Sequence, residues 1–190
     1  MKKWITFFSQ TGSEIYNVSE KLGIDPDLIV VNKSDLSNVN QKLLEKYRDR
    51  FYILPNKPDG EDYLDLIEEK SKFFNDCIIT LHGYLRIIPA FMCNEFEIYN
   101  LHPGLITKYP ELKGFNPQEK AFNLKLPTSG VVIHKATSVL DSGEILKSKE
   151  ISIKNKTLDQ IYEDLHNVAS ELWSEFLSEK FVDLNIEKNI

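Results

Sequence analysis

The sequence predicts an α/β fold: a Rossmann-like, mostly parallel sheet with helices on both faces, whose C-terminal half adds a strand pair and a long helix. Three observations carry that reading. Short apolar runs alternate with amphipathic stretches of about a dozen residues, the signature of strand–helix–strand units. The early apolar runs close on polar turns, where a sheet of this class builds its sites. Beyond Pro103 the pattern changes to longer strand-like segments and then to one sustained helical stripe.

Trp4-Ile5-Thr6-Phe7-Phe8 reads as a buried strand, broken by the turn Ser9-Gln10-Thr11-Gly12-Ser13. Over 14–22 the apolar residues Ile15, Val18 and Leu22 fall three and four apart, which is a helix face. Residues 28–31 form a second strand ended by Asn32-Lys33-Ser34-Asp35, followed by a helix over 39–47 and a strand over 51–54. After a turn over 55–60, one helix is expected over 61–74. Strands follow over 77–81 and 98–101, with a short helix after Pro89 between them. Pro103, Pro110, Gly114, Pro117 and Pro127 punctuate a loop-rich segment, long enough to be a lid or a substrate wall. Residues 129–136 and 144–153 read as a hairpin-like pair around Asp141-Ser142-Gly143. Over 157–177, Leu158, Ile161, Leu165, Val168, Leu172 and Phe176 make one stripe, opened by the capping box Thr157-Leu158-Asp159-Gln160. Without repeats or low-complexity linkers, residues 1–190 read as a single domain, with 1–100 the Rossmann-like half that binds a nucleotide or anion.

Composition narrows the function classes. The 190 residues carry a net charge of −6, and their Lys and Arg are scattered among acids rather than gathered, so no nucleic-acid partner is expected. Met1-Lys2-Lys3 leads straight into a short strand, so no signal peptide is expected, and the apolar runs are too short to span a bilayer. A soluble, cytoplasmic chain with no membrane partner is the expectation. Cys77 and Cys93, inside apolar runs, read as buried structural thiols. The four histidines have no cysteine or carboxylate cluster at ligand spacing, so no metal is expected. No sequence feature sets an oligomeric state.

The chemistry-bearing residues gather at predicted strand ends and turns. Asn100 and His102, two apart, share one face of an extended segment. Asp141 starts a Ser-Gly turn able to push a carboxylate into a cleft. Amide, imidazole and carboxylate together can stabilise an oxyanion and move a proton, a toolkit for acyl transfer without a covalent nucleophile. Taken singly, Asn100 and Asp141 are equally turn formers and His102 a locally packed ring. His134 alternates with apolar neighbours, either a satisfied strand histidine or a wall of the site, and His82 sits at another strand end. Thr11, Gly12 and Ser13 open a helix whose N–H groups could seat a phosphate or carboxylate, although neither GxGxxG nor GxxxxGK[ST] is present.

In order along the chain stand Leu81-His82-Gly83-Tyr84-Leu85-Arg86-Ile87, Asn100-Leu101-His102-Pro103-Gly104-Leu105, Lys108-Tyr109-Pro110, Gly130 to His134, and Leu140-Asp141-Ser142-Gly143. This series resembles the folate-dependent formyltransferase family, densely from Cys77 to Leu146 and more thinly before, and in size most like its glycinamide ribonucleotide branch. The resemblance implies transfer of a formyl group from 10-formyltetrahydrofolate to a primary amine of a small, phosphorylated substrate, with glycinamide ribonucleotide the default acceptor. It implies that residues 101–190 hold folate and the catalytic groups. Asn100 and a protonated His102 would bind the oxyanion, and Asp141 would keep His102 charged and help carry a proton. His134, and His82 with it, would support the site or touch substrate. Leu85, Arg86, Ile87, Val139 and Leu140 would line the pteridine slot, and Thr11, Gly12 and Ser13 would hold the substrate's anion.

The chain also departs from the family pattern. Glu14 stands where the glycinamide ribonucleotide members carry Asn, and Gln10 replaces a glycine of the same loop. Leu165-His166-Asn167-Val168-Ala169 stands where those members carry Gln and Glu. The stretch over 109–122, with Gly114-Phe115-Asn116-Pro117, is more similar to sugar-amine and methionyl-tRNA formyltransferases. Alternatives on the same residues are an amino-sugar nucleotide N-formyltransferase, a formyltetrahydrofolate hydrolase, and a non-catalytic folate- or nucleotide-binding module.

Overall fold

The computed structural model describes residues 2–186, with side chains described to residue 181. Seven strands form one sheet in the order β3-β2-β1-β4-β5-β6-β7. They are β1 Lys3–Phe8, β2 Leu28–Val31, β3 Phe51–Ile53, β4 Cys77–Leu81, β5 Glu97–His102, β6 Thr128–Lys135 and β7 Ile145–Ser152. The first five run parallel, while β6 is antiparallel to both β5 and β7. The helices are α1 Ser13–Leu22, α2 Gln41–Tyr47, α3 Gly60–Glu69, α4 Ser71–Phe74, α5 Ala90–Glu95, α6 Pro117–Asn123 and α7 Leu158–Ile186. The α/β class, the added strand pair and the long helix are therefore as expected.

Helices on both faces explain why the central strands are mostly apolar: every residue of β2 and β4 is buried. On one face Phe7, Ile79 and Ile98 pack with Tyr63 and Leu66 of α3 and Met92 of α5. On the other, Trp4, Ile78, Tyr99 and Val131 pack with Ile161, Leu165, Leu172 and Phe176 of α7, the expected stripe. Trp173, off that stripe, is wholly buried as well. The capping box closes as read, Gln160 N–H donating to Thr157 Oγ1 at 3.3 Å and Thr157 N–H to Gln160 Oε1 at 2.9 Å.

Three local departures have physical causes. The single helix expected over 61–74 is two, because the chain breaks at Lys70 (φ −110°, ψ 23°) and turns Phe74 into the core beneath β1 and β4. The second helix starts at Gln41 rather than Val39, since Asn40 caps it by accepting the Leu43 N–H at 3.1 Å. The loop-rich stretch after Pro103 is not loose: a 3-10 turn at Pro110–Leu112 and the helix α6 seat Leu105, Ile106, Leu112 and Ala121 in the core shared with α7. α6 escaped sequence reading because it is short and begins on Pro117 after a left-handed Asn116.

Candidate active site

Strand alternation on β5 puts Asn100 and His102 on the same face as Ile98, toward α3 and α5. Pairing with β6 sets His134 directly opposite Asn100, and Asn100 Nδ2 lies 3.1 Å from His134 Nε2. Asp141 arrives from the β6–β7 connection with a left-handed backbone, φ 48°. Its Oδ2 stands 3.3 Å from His102 Nδ1 and its Oδ1 3.5 Å from His134 Nε2. Two glycines make room for this approach. A Cβ at Gly143 would sit 1.7 Å from the Lys135 carbonyl oxygen, and one at Gly104 would sit 2.9 Å from His102 Nε2. Asn100, His102, His134 and Asp141 thus form one cluster, with all but half-buried Asn100 buried.

Backbone groups of the segment after Pro110 complete it. His102 Nε2 donates to the Leu112 carbonyl at 2.8 Å, since that oxygen can only accept. Gly114 N–H donates to Asp141 Oδ2 at 2.9 Å. Burial works to raise the Asp141 carboxyl, but its partners, the His102 ring and the Gly114 N–H among them, outweigh it and hold it below the usual carboxylate range. For His102 the balance is opposite. Burial pulls the imidazole below its ordinary value against the Asp141 carboxylate and the Leu112 carbonyl. Burial thus works against a charged His102, and the Asp141 carboxylate at 3.3 Å opposes it without reversing the direction. Both ring nitrogens nonetheless face oxygens, so a proton gained during reaction meets an acceptor at each.

The other expected residues fall in three places. Leu85 and Ile87 lie just beyond β4, next to the strand carrying Asn100, and Val139 and Leu140 immediately precede Asp141; these four are 49%, 75%, 62% and 57% exposed, an open apolar rim. Arg86 is turned to its neighbours, donating to the Asn56 carbonyl at 2.7 Å, to Asn56 Oδ1 at 3.0 Å and to the Leu85 carbonyl. Gly12 caps α1 with φ 69°, and the Ser13 N–H rests on Thr11 Oγ1 at 3.3 Å. His82 does not join the cluster. Its place one residue past β4 gives it the α7 face with Thr80, its side chain wholly buried beside Trp173, with Nδ1 2.7 Å from Glu14 Oε1 and Nε2 2.8 Å from Thr80 Oγ1. The same bond holds the Glu14 carboxylate on the buried ring rather than over the α1 turn.

Leu112, Gly114 and Asn56 were not legible as site residues, because they act mainly through backbone groups that any side chain could accompany. Gly114 alone left a trace, as a turn glycine with φ 79°. Among the described residues no group of three or more His, Cys, Asp or Glu side chains could hold a metal ion, and no helix is long and apolar enough to cross a membrane. Two clefts of about 490 and 440 Å³ lie at the other end of the sheet, along Cys77 and Glu97 and along Leu28 and Phe51, and contain none of the expected site residues.

Residues 5–177 match the family model described as formyl transferase. The chain belongs to the formyl transferase family. Among relatives, a phosphoribosylglycinamide formyltransferase of Dictyostelium discoideum is 38% identical over 115 residues, 54% of either chain. A methionyl-tRNA formyltransferase of Thermotoga maritima is 38% identical over 168 residues, 88% of this chain and 47% of that one. The chain thus spans about half the length of these curated members of the family. A phosphoribosylglycinamide formyltransferase structure from Campylobacter jejuni superposes with a TM-score of 0.81 at 23% identity, covering 95% of this chain and 98% of that one; this is a likeness of fold.

Proposed function

We propose that the protein transfers a formyl group from 10-formyltetrahydrofolate to a primary amine of a small, phosphorylated acceptor, with glycinamide ribonucleotide the acceptor to test first. The convergence of Asn100, His102 and Asp141 on one face of β5 carries this reading. Family membership and the Dictyostelium discoideum relative's activity support the reaction and the acceptor. The net charge of −6 favours a small acceptor over tRNA.

Asn100 N–H donates to the oxygen of the formyl group as the amine nitrogen bonds to its carbon, and the His102 ring beside it takes up the proton that the amine loses. Asp141 accepts the positive charge that builds on His102 as the amine's proton passes toward the folate nitrogen, whose bond to the formyl carbon breaks. The folate supplies the activated formyl group, and the residues present fit a flat heterocycle: Leu85, Ile87, Val139 and Leu140 offer apolar surface, with backbone polar groups beside it. Thr11, Gly12 and Ser13 face the acceptor's anion, and Glu14, drawn onto His82, leaves them clear.

Release of deformylated folate, followed by absorbance with glycinamide ribonucleotide, a panel of amino-sugar nucleotides and no amine in parallel, tests the proposal. Turnover that requires glycinamide ribonucleotide is expected. Turnover with an amino-sugar nucleotide alone would move the acceptor assignment, and turnover without amine would make the protein a hydrolase. Folate binding with no turnover would make it a binding module.

A further inference from the structure

His134 Nδ1 stands 3.0 Å from the Lys135 carbonyl oxygen, an acceptor only, so Nδ1 carries a hydrogen. In the neutral ring Nε2 is then a lone pair. Asn100 Nδ2 lies 3.1 Å from it, while the nearest carboxylate oxygen, Oδ1 of Asp141, is farther away at 3.5 Å. The arrangement is satisfied in one way: an Asn100 N–H donates to Nε2, and the amide oxygen points elsewhere. The opposite tautomer would set the bare Nδ1 against a carbonyl oxygen at 3.0 Å and a ring N–H against the amide nitrogen. His134 is only 3% exposed and is held in β6 between β5 and β7, so the ring has little freedom to turn away.

We propose that His134, as the neutral Nδ1–H tautomer, is a positioning residue that sets the orientation of the Asn100 amide, so that its second N–H rather than its oxygen serves as the oxyanion donor. The inference rests on the formyl-transfer reading for its kinetic consequence, but the orientation itself follows from the hydrogen bonds of the neutral ring. An amide has two ends of nearly equal shape and opposite polarity. Flipped, Asn100 would place a lone pair where negative charge develops, converting stabilisation to repulsion without any change in packing. A ring that accepts at one defined point removes that ambiguity. A ring with Nε2–H would select the flipped amide.

Two measurements test this, one independent of turnover. Nitrogen-15 spectra of the imidazole groups, with His134 assigned by its loss in His134→Gln, are expected to show a neutral ring protonated at Nδ1 in mildly alkaline buffer. A hydrogen on Nε2 there overturns the proposal whatever the protein catalyses. In the kinetic arm, His134→Gln keeps an acceptor oxygen near the Nε2 position, whereas His134→Leu removes it. We expect His134→Leu to lower kcat by about 100-fold, and His134→Gln to recover most of that, with folate dissociation constants in both within about threefold of the parent. Equal loss in the two variants, or none in His134→Leu, overturns the positioning role. If the parent does not turn over, the formyl-transfer reading fails while the spectra still decide the tautomer.

Discussion

Asp141 receives the Gly114 N–H at 2.9 Å and faces two imidazole rings, with only a left-handed turn to hold it there. Asp141→Asn keeps the shape but removes the charge that stabilises a developing imidazolium. We expect kcat to fall by about 10²- to 10⁴-fold, with folate binding within a few-fold of the parent, as equilibrium titration and steady-state rates would show. His102 adds a pH dependence to folding. Its folded pKa lies below the unfolded value, so the unfolded chain binds more protons in acid, and stability is full above the unfolded pKa and declines as pH falls. Asp141, also depressed, contributes in the same sense at lower pH, its stabilisation present above the unfolded value and lost as pH falls through the folded one. Urea midpoints should therefore drop as pH is lowered below about 6.5, and His102→Gln should flatten the upper part of that decline. An unchanged slope in His102→Gln would assign the acid sensitivity to other groups.

At the scale of elements, two turns aim the side chains. A Cβ at Gly143 meets the Lys135 carbonyl oxygen at 1.7 Å, so Gly143→Ala must shift the turn that carries Asp141. A displacement of about 1 Å at a reacting group can cost about 100-fold in rate, and that is the expected loss of kcat. Gly114 makes a cleaner test, because a Cβ there meets nothing within 4 Å and the only penalty is its φ of 79°. Gly114→Ala should cost about 1 kcal/mol and loosen the N–H held by Asp141 Oδ2. Losing that donor lets the carboxyl rise toward its ordinary value, so the acid limb of the rate profile should move to higher pH. A limb that stays in place would mean that Gly114 does not tune Asp141.

For the whole molecule, the sheet separates two kinds of buried polar group. Asn100, His102 and His134 lie toward α3 and α5, while His82, Glu14 and Thr80 lie toward α7, bonded among themselves against Trp4 and Trp173. The second group belongs to the scaffold. Trp173→Ala should lower unfolding free energy by about 3–5 kcal/mol in denaturant titrations, while the rate per folded molecule stays within a few-fold of the parent. A large loss of rate in molecules that remain folded would join the α7 face to the chemistry.

The sequence by itself determined the class of fold, its seven strands to within a residue or two, and the members of the polar cluster at the strand ends. Period-two and helical spacing of apolar residues survives any tertiary context when both sheet faces are covered, and Asn100, His102 and Asp141 sit where turns and strand ends must lie. It could not decide which face of the sheet His82 would take, that Arg86 would spend its donors on Asn56, or that backbone groups of Leu112 and Gly114 would hold His102 and Asp141. Nor did it decide that burial would work against the charged form of His102. Those outcomes depend on distances between segments far apart in the chain, on how deeply a ring is desolvated, and on backbone groups that no residue letter distinguishes. Only the tertiary structure sets them.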